Sequence, residues 1–586
     1  MTTTPEASLS APPAGRKYSL APDVAILLAG AVLLLWGLGD RSLWRSEGRW
    51  AEIPREMVLS GDYFHPTTGG ELYNDKPLLT YWLRIAAAKL TGNLDEFAVR
   101  LPGALAGLIA VGATMWLGRR LWSAPVGWIA GAMLATAWGF VFHARTAEAD
   151  MENLAAIMLA IAWYWYKRDR PGFVAFLVFW LIAFVGALTK GLTAVIVPVL
   201  AILPDIIEHK RWRQVLTLSN IVALILAAAI YFAPFIYAAT TKTDTYRADG
   251  LALVIRENVT RFFNAFDHKG PPYLYFIALP GLLMPWAPLL IAAVIGLIMI
   301  RKSLDAPTRW LAWAAFVIFV FFTLSESRRS YYILPVLPLA ALMVGIIWAH
   351  AKDARLDSLR WHARNVQAAI LIGAVVLALA GPLVAGLIAP RYDFTVTREL
   401  NVSLVAMGMA AAVVILLAFA LSRRIAEAHR PLWPMFAGTA VLLGGFFCWQ
   451  YGLLEAYRNE RSFVLDLKQR IEGVSTEDIR FYNVNSDKVL FYLNTPKPLA
   501  VLRTESELRE FMAADRPRVL ITQQQCVDKA RSCFPPHRSQ EPDLTEKVEP
   551  WKDPSEASDD LVAWLFLRQE HQPAADSTIR EASNEN

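Results

Sequence analysis

Apolar residues in this chain gather in long blocks separated by short polar links. The blocks lie at 22–39, 101–117, 121–142, 151–166, 172–189, 191–207, 216–238, 273–300, 310–324, 331–349, 367–389, 403–421 and 431–450, thirteen runs of 15 to 28 residues. A bilayer core of about 30 Å takes roughly 20 helical residues per crossing, and a segment in lipid must close its own backbone hydrogen bonds. The blocks therefore predict transmembrane helices and not strands. The first ends at Leu38-Gly39-Asp40-Arg41 with no small-x-small cleavage pattern, which predicts an uncleaved helix and not a signal peptide.

After Gln450 the pattern changes. Amphipathic helical spacing from Glu460 to Glu472 alternates with short β-like runs at Ile479–Val484 and Val519–Thr522, which predicts a small α/β domain over 451–572. Residues 1–21 and 573–586 read as polar tails, the latter mobile. The expected organisation is a membrane domain over 22–450, with long loops at 40–100 and 239–272, followed by the soluble domain.

Composition sharpens this. Of 586 residues, 55% are hydrophobic and 19% charged, which excludes a cytosolic enzyme and a disordered tail protein. The net charge, 57 − 52 = +5, matters through its placement. Basic residues cluster in alternate loops: Arg119/Arg120, Lys167/Arg168/Arg170, Lys210/Arg211/Arg213, Arg301/Lys302/Arg309, Lys352/Arg355/Arg360/Arg364 and Arg423/Arg424/Arg430. Because Lys and Arg resist translocation, these loops and the N-terminus are expected in the cytoplasm. An odd number of crossings then puts the C-terminal domain across the membrane, in a bacterium the periplasm. Three cysteines cannot make a disulfide scaffold, although Cys526 and Cys533 are spaced for one local bridge.

Candidate chemistry collects on the translocated side. The first long loop contains Ser46-Glu47-Gly48-Arg49-Trp50-Ala51-Glu52-Ile53-Pro54-Arg55-Glu56-Met57. Residues 51–60 read as an amphipathic helix on the membrane surface, with Ile53, Met57 and Leu59 towards lipid, whereas Glu47 and Arg49 are placed to point across the mouth of the bundle. Asp75-Lys76-Pro77 offers an ammonium at headgroup level, suited to a lipid-linked phosphate, beside the plainer reading of a lysine that snorkels. Glu148, Asp150 and Glu152 exceed the one or two acids that a helix N-terminus favours, so one is available as a general base. Lys190 in Thr189-Lys190-Gly191, and Arg328/Arg329 in Ser325–Pro335, break the positive-inside pattern in very short turns and suggest an anionic ligand.

These motifs have a known counterpart. Glu47-x-Arg49-Trp50-Ala51-Glu52-Ile53-x-Arg55-Glu56-Met57, Asp75-Lys76-Pro77-x-x-x-Tyr81-Trp82-Leu83, Ala98-x-Arg100-Leu101-Pro102, Arg145-Thr146-x-x-x-Asp150-Met151, Thr189-Lys190-Gly191 and Ser325-x-Ser327-x-Arg329-x-Tyr331-Tyr332-x-Leu334-Pro335, in order over about 40–340, resemble the aminoarabinose lipid A transferase family. Those enzymes are polyprenyl-phosphate-dependent glycosyltransferases, distantly similar to protein O-mannosyltransferases. The resemblance implies a polytopic helical GT-C fold that passes a sugar from a polyprenyl phosphate to lipid A or another envelope acceptor at the periplasmic face of the inner membrane, with no role for nucleic acid.

Carried over residue by residue, it places Lys76 and Arg49 on the donor phosphate with Tyr332 close by and Arg261 joining them, and Asp150 in the catalytic cavity. Asp75, Arg145, Glu148, Lys190 and Arg329 are further substrate-binding candidates. Two departures matter. Ser46-Glu47 stands where the family usually has Asp-Glu, leaving Glu47, Asp150 or both as base. Asp75 and Asn258 stand where the family's Glu and His can hold a divalent metal, so no obligatory metal is expected. The alternatives are a protein O-glycosyltransferase with the same donor, and a non-catalytic transporter or binder of lipid-linked sugar. No internal repeat supports a transporter.

Overall fold

The computed structural model describes residues 19–241, 256, 260–264, 268–388, 397–422, 432–453, 455, 460–513, 516–534, 541–546 and 560–567. Residues 1–18 of the expected tail 1–21, the expected tail 573–586 and Asn258 lie outside the described residues. The chain forms two compact units: one from Met1–Arg41, Asn74–Ile388 and Val396–Leu453, the other built on Ser42–Tyr73 and Leu454–Asn586. The division differs from the one that composition suggests at residue 450, since Ser42–Tyr73 of the first long loop clusters with the C-terminal segment.

The first unit is helical, and every one of the thirteen apolar runs contains helix. Among the described residues, seven helices are long and apolar enough to cross a membrane, up to nine if two bent pairs each count as one span. Those pairs are Ala124–Ala135 with Trp138–Ala144, bent by 65°, and Leu274–Leu282 with Ala287–Met299, bent by 117°. Pro285, which has no N–H to continue the helical ladder, lies in the second break. The two breaks meet: Trp286 Nε1 donates to the Thr136 carbonyl and hydroxyl at 3.1 Å each, and the Trp138 N–H donates to the Met284 carbonyl at 2.8 Å. Backbone groups freed by bending thus find partners inside the bundle, as lipid requires.

The second unit holds a hairpin, β1 (Thr67–Thr68) and β2 (Glu71–Leu72), and a five-stranded sheet made of β3 (Ile479–Tyr482), β4 (Val501–Leu502), β5 (Arg518–Gln523), β6 (Leu544–Thr545) and β7 (Leu561–Phe566). The strand order is β4-β3-β5-β7-β6. β3 runs parallel to β4 and β5, with Phe481 opposite Val501 and Ile521, and β7 is antiparallel to both β5 and β6. Alternate strand residues serve opposite faces. Phe481, Val519, Ile521 and Ala563 pack with Val464 and Leu467 of helix Glu460–Arg470, whereas Tyr482, Leu520, Val562 and Trp564 pack with Leu508 of helix Glu505–Ala513 and Val527 of helix Val527–Arg531. Cys526 and Cys533 are free thiols.

Helix Glu47–Ser60 does not behave as the expected surface helix. Ile53 and Met57 are buried and only Leu59 is exposed. Gly48 packs on the Asp487–Leu493 helix, where a Cβ at that position would come within 3.0 Å of the Lys488 main-chain nitrogen. The amphipathic spacing was real, but the apolar stripe faces protein instead of lipid. Lipid and a protein core ask for the same pattern.

Candidate functional site

The helix Asp150–Lys167 anchors the site in the first unit. Its residue Asn153 holds the Thr189-Lys190-Gly191 turn: the Asn153 amide donates to the carbonyls of Gly186 and Gly191 at 3.4 Å each, and Thr193 Oγ1 donates to Asn153 Oδ1 at 3.0 Å. Thr189 Oγ1 closes the turn on the Gly186 carbonyl at 2.7 Å, and Gly191 takes φ 141°, a conformation that favours glycine. So held, Lys190 forms an ion pair with Asp150, the first residue of the helix, and its ammonium lies 4.5 Å from the Tyr332 ring centroid and 5.6 Å from that of Tyr331.

The other motifs converge here. The N–H of Leu79, three residues past Lys76, donates to the Leu188 carbonyl at 3.1 Å, which ties the Asp75-Lys76-Pro77 loop to the lysine turn. The Lys76 ammonium donates to the Asp75 carbonyl at 3.1 Å. One turn into helix Leu79–Thr91, buried Arg84 meets Glu152 at 3.3 Å and the Thr80 carbonyl at 2.7 Å, joining this helix to Asp150–Lys167. Arg329 donates to the Tyr331 hydroxyl at 3.1 Å and contacts the His268 imidazole. His143 packs tilted against Tyr331 with ring centroids 4.8 Å apart and lies 3.8 Å from Glu148. The Glu326 N–H donates to the Phe262 carbonyl at 3.0 Å, which brings the short helix Arg261–Phe263 against the Ser325–Ser330 turn. The side chain of Arg261 lies outside the described residues.

Arg145 does something else. Its guanidinium donates to the carbonyls of Leu33 and Trp36 at 2.8 Å and of Gly37 and Phe447 at 3.0 Å, and the side chain is buried. Arg100, also buried, donates to the carbonyls of Leu38 and Arg41 at 2.9 Å each. Helix Ala21–Leu35 ends here: Arg145 takes up the Leu33 carbonyl of its last turn and the Trp36 carbonyl at its cap, where a cation suits the negative end of the dipole, and Arg100 holds the turn that follows. Arg145 is therefore a clamp on the first helix, not a ligand aimed into a cavity. Sequence reading missed Arg84, whose signal was a cation four residues after Thr80 on an otherwise apolar helix.

Glu47 and Arg49 belong to the second unit. Glu47 is fully buried at the start of its helix, where it accepts the Trp44 N–H at 2.9 Å. Arg49 donates to the Tyr73 hydroxyl at 2.6 Å and lies over that ring at 5.1 Å. The same helix carries the Glu52–Arg55 pair, bonded at 2.7 and 2.6 Å, with Arg55 also donating to the Thr495 carbonyl at 2.7 Å. Burial pushes the Glu52 carboxyl up to about 8, the pairing with Arg55 opposing this. Glu56 accepts from Thr67 Oγ1 at 2.5 Å and the Gly69 N–H at 2.7 Å, fastening the β1–β2 hairpin. Among the described residues, no three His, Cys, Asp or Glu side chains gather as a metal site.

Known proteins resemble this chain in sequence and in fold. Residues 45–243 match the family model of dolichyl-phosphate-mannose-protein mannosyltransferases. An undecaprenyl phosphate-alpha-4-amino-4-deoxy-L-arabinose arabinosyl transferase of Pseudomonas aeruginosa strain UCBPP-PA14 is 30% identical over 376 residues, 63% of this chain and 66% of the relative, so about a third of each protein lies outside the match. Crystal structures of ArnT from Cupriavidus metallidurans, one bound to undecaprenyl phosphate and one in the apo state, are 21% and 22% identical, with TM-scores of 0.67 and 0.61; each comparison covers 93% of this chain and 98% of that protein. The fold is thus the GT-C fold of a multi-pass membrane protein. The chain is thus similar over 63% of its length to aminoarabinose transferases and, over residues 45–243, to the protein mannosyltransferases, with the fold of ArnT.

Proposed function

We propose that this chain transfers a sugar from a polyprenyl phosphate donor to a cell-envelope acceptor, lipid A or another glycolipid, by direct displacement with inversion. The observation that carries the proposal is the clustering of Lys76's loop, the Lys190–Asp150 pair, Tyr331, Tyr332 and Arg329 around one turn. The relatives' names supply the donor class: the Pseudomonas protein is named for undecaprenyl phosphate-linked aminoarabinose, and one ArnT structure is bound to undecaprenyl phosphate.

In the proposed step an acceptor oxygen bonds to the anomeric carbon as the carbon–oxygen bond to phosphate breaks, and the electron pair leaves on the phosphate. Lys76, with Arg49 and Arg261, stabilises that growing charge, and Lys190 and Arg329 extend the cationic wall. Asp150 or Glu47 takes the proton of a hydroxyl acceptor, Asp150 being oriented by Lys190. A leaving group that departs as a phosphate needs no metal, and turnover is expected to persist in chelator. The loop charges support an inner-membrane orientation with the N-terminus cytoplasmic and the C-terminal domain periplasmic.

The test is sugar transfer from polyprenyl-phosphate donors in reconstituted vesicles, with lipid and peptide acceptors. Glu47→Gln, Asp150→Asn and Lys76→Ala should lower kcat by about 100-fold or more for the residues that act, consistent with loss of one charge-stabilising group or base. Carboxylate variants that bind donor without turning it over identify the base. If wild-type protein binds donor but never transfers or hydrolyses it across the acceptor panel, the enzyme reading fails.

A further inference from the structure

Three helices of the first unit leave a groove between them. Ala21–Leu35, Ala124–Ala135 and Leu432–Gly445 enclose about 470 Å³, walled by Ala29, Ala132, Ala437 and Ala440 and closed at the sides by Trp128 and Trp433. The slot stays open because its wall residues stop at Cβ. Its lining runs from Pro22 to Leu33 of the first helix, eleven steps or about 16 Å of rise, close to half of a ~30 Å bilayer core.

The two ends differ. The deep end, at Leu33 and Thr136, has its polar groups turned inward: the Leu33 carbonyl accepts from Arg145, and Thr136 Oγ1 donates to the Ala132 carbonyl at 2.6 Å. The other end is charged. Next to Pro22, Asp23 accepts from Trp128 Nε1 at 3.0 Å and pairs with Arg119, whose side chain is 31% exposed. A guanidinium has five donors, more than a single Asp23 oxygen occupies, and a planar fork that matches phosphate.

We propose that this groove holds one acyl chain of an anionic phospholipid, its phosphate resting at Arg119 and its tail filling the slot down to Leu33. The Arg119 fork at the mouth and the apolar slot of about 16 Å together suit an amphiphile with a phosphate head. The mouth lies at the opposite end of the first helix from the Arg145 clamp, and the tail runs from it towards that clamp. The site is independent of the sugar reaction and stands or falls apart from it.

Photoactivatable phosphatidylglycerol, carrying its reactive group on the acyl chain, is incorporated into nanodiscs with the full-length protein. Labelled peptides should map to 22–33, 128–136 or 433–440, at least fivefold above labelling by the same probe with a choline headgroup. Filling the slot with Ala29→Phe or Ala437→Phe should cut that labelling fivefold or more. The Asp23→Asn/Arg119→Gln double variant should abolish the preference for glycerol over choline headgroups while keeping the tail contact. Native mass spectrometry of the wild-type protein should retain one phospholipid. Labelling confined to other helices, equal labelling by both headgroups in the wild type, or retention of a polyprenyl phosphate alone would overturn the proposal, and each is read on unmutated protein.

Discussion

Asp150 and Lys190 illustrate what a charge pair costs and what it supplies at the edge of a membrane. Both side chains keep some exposure, so the pair is neither a solvated surface bridge nor a sealed one. Each holds the other at the head of helix Asp150–Lys167, and neither can be removed without moving the second. Asp150→Asn and Lys190→Ala are each expected to lower sugar transfer by about 100-fold, and the double variant to fall little further than the worse single one, because residues that act as a unit are not additive. Two independent additive losses would deny the coupling. Arg145→Ala should behave differently. With four carbonyls losing a buried cation, the expected cost is about 3–5 kcal/mol of stability. Fluorescence-detected gel filtration after heating should show a melting midpoint well below that of Lys190→Ala, and an Arg145→Ala variant that is stable but inactive would mean that this arginine meets substrate. The sequence offered no way to separate these two cations. Both lie at the edges of apolar runs, and only the carbonyls at the end of helix Ala21–Leu35 and just beyond it, about 110 residues earlier in the chain, distinguish the clamp from the site.

Helix Glu47–Ser60 is legible from its spacing but not from its surroundings. Its polar positions look solvated in the sequence, yet Glu52, Arg55 and Glu56 are buried and satisfied by groups as distant as Thr495. Such pairing over more than 400 residues leaves no local trace, whereas the apolar stripe does. One consequence is a pH dependence. Burial lifts the Glu52 carboxyl to about 8 from 4.5, so between those values the folded chain holds a proton that the unfolded chain has released. That contribution to stability is complete below about 4.5 and is lost as pH rises through about 8. Glu52→Gln keeps an acceptor for Arg55 without the titration. Its thermal midpoint relative to wild type should therefore rise by on the order of 5 °C between pH 5.5 and pH 8.5, measured by scanning fluorimetry in detergent. A wild type that gains on the variant over this interval would reverse the sign.

At the scale of the molecule, the apolar runs were readable as helices because lipid allows a spanning segment so few solutions, and among the described residues seven to nine of them are long and apolar enough to cross. Where the runs bend was not: the breaks at Thr136–Ala137 and Leu283–Trp286 are stabilised by each other, through Trp286 and Trp138, across about 150 residues. The division of the chain was equally hidden, since the loop after the first helix has no composition of its own. Yet its residues 42–73 take their partners from the C-terminal segment: the Leu43 N–H donates to the Tyr492 hydroxyl at 2.7 Å, Thr68 Oγ1 to Asp487 at 2.5 Å, and Arg55 to Thr495. The second unit is therefore closed only when the last part of the chain has been made, and it contains both Glu47 and Arg49. Removal of residues 454–586 should strip helix Glu47–Ser60 of the Asp487–Leu493 helix against which Gly48 packs. The expected result is a truncated protein that still inserts in membranes, is cut by protease within 42–73 where the full chain resists, and transfers sugar at least 100-fold more slowly. Supplying 454–586 as a separate chain should restore protection of 42–73 if the contacts alone matter. A truncated protein with full activity and a protected loop would show that the helix carrying Glu47 and Arg49 holds its place without the C-terminal segment.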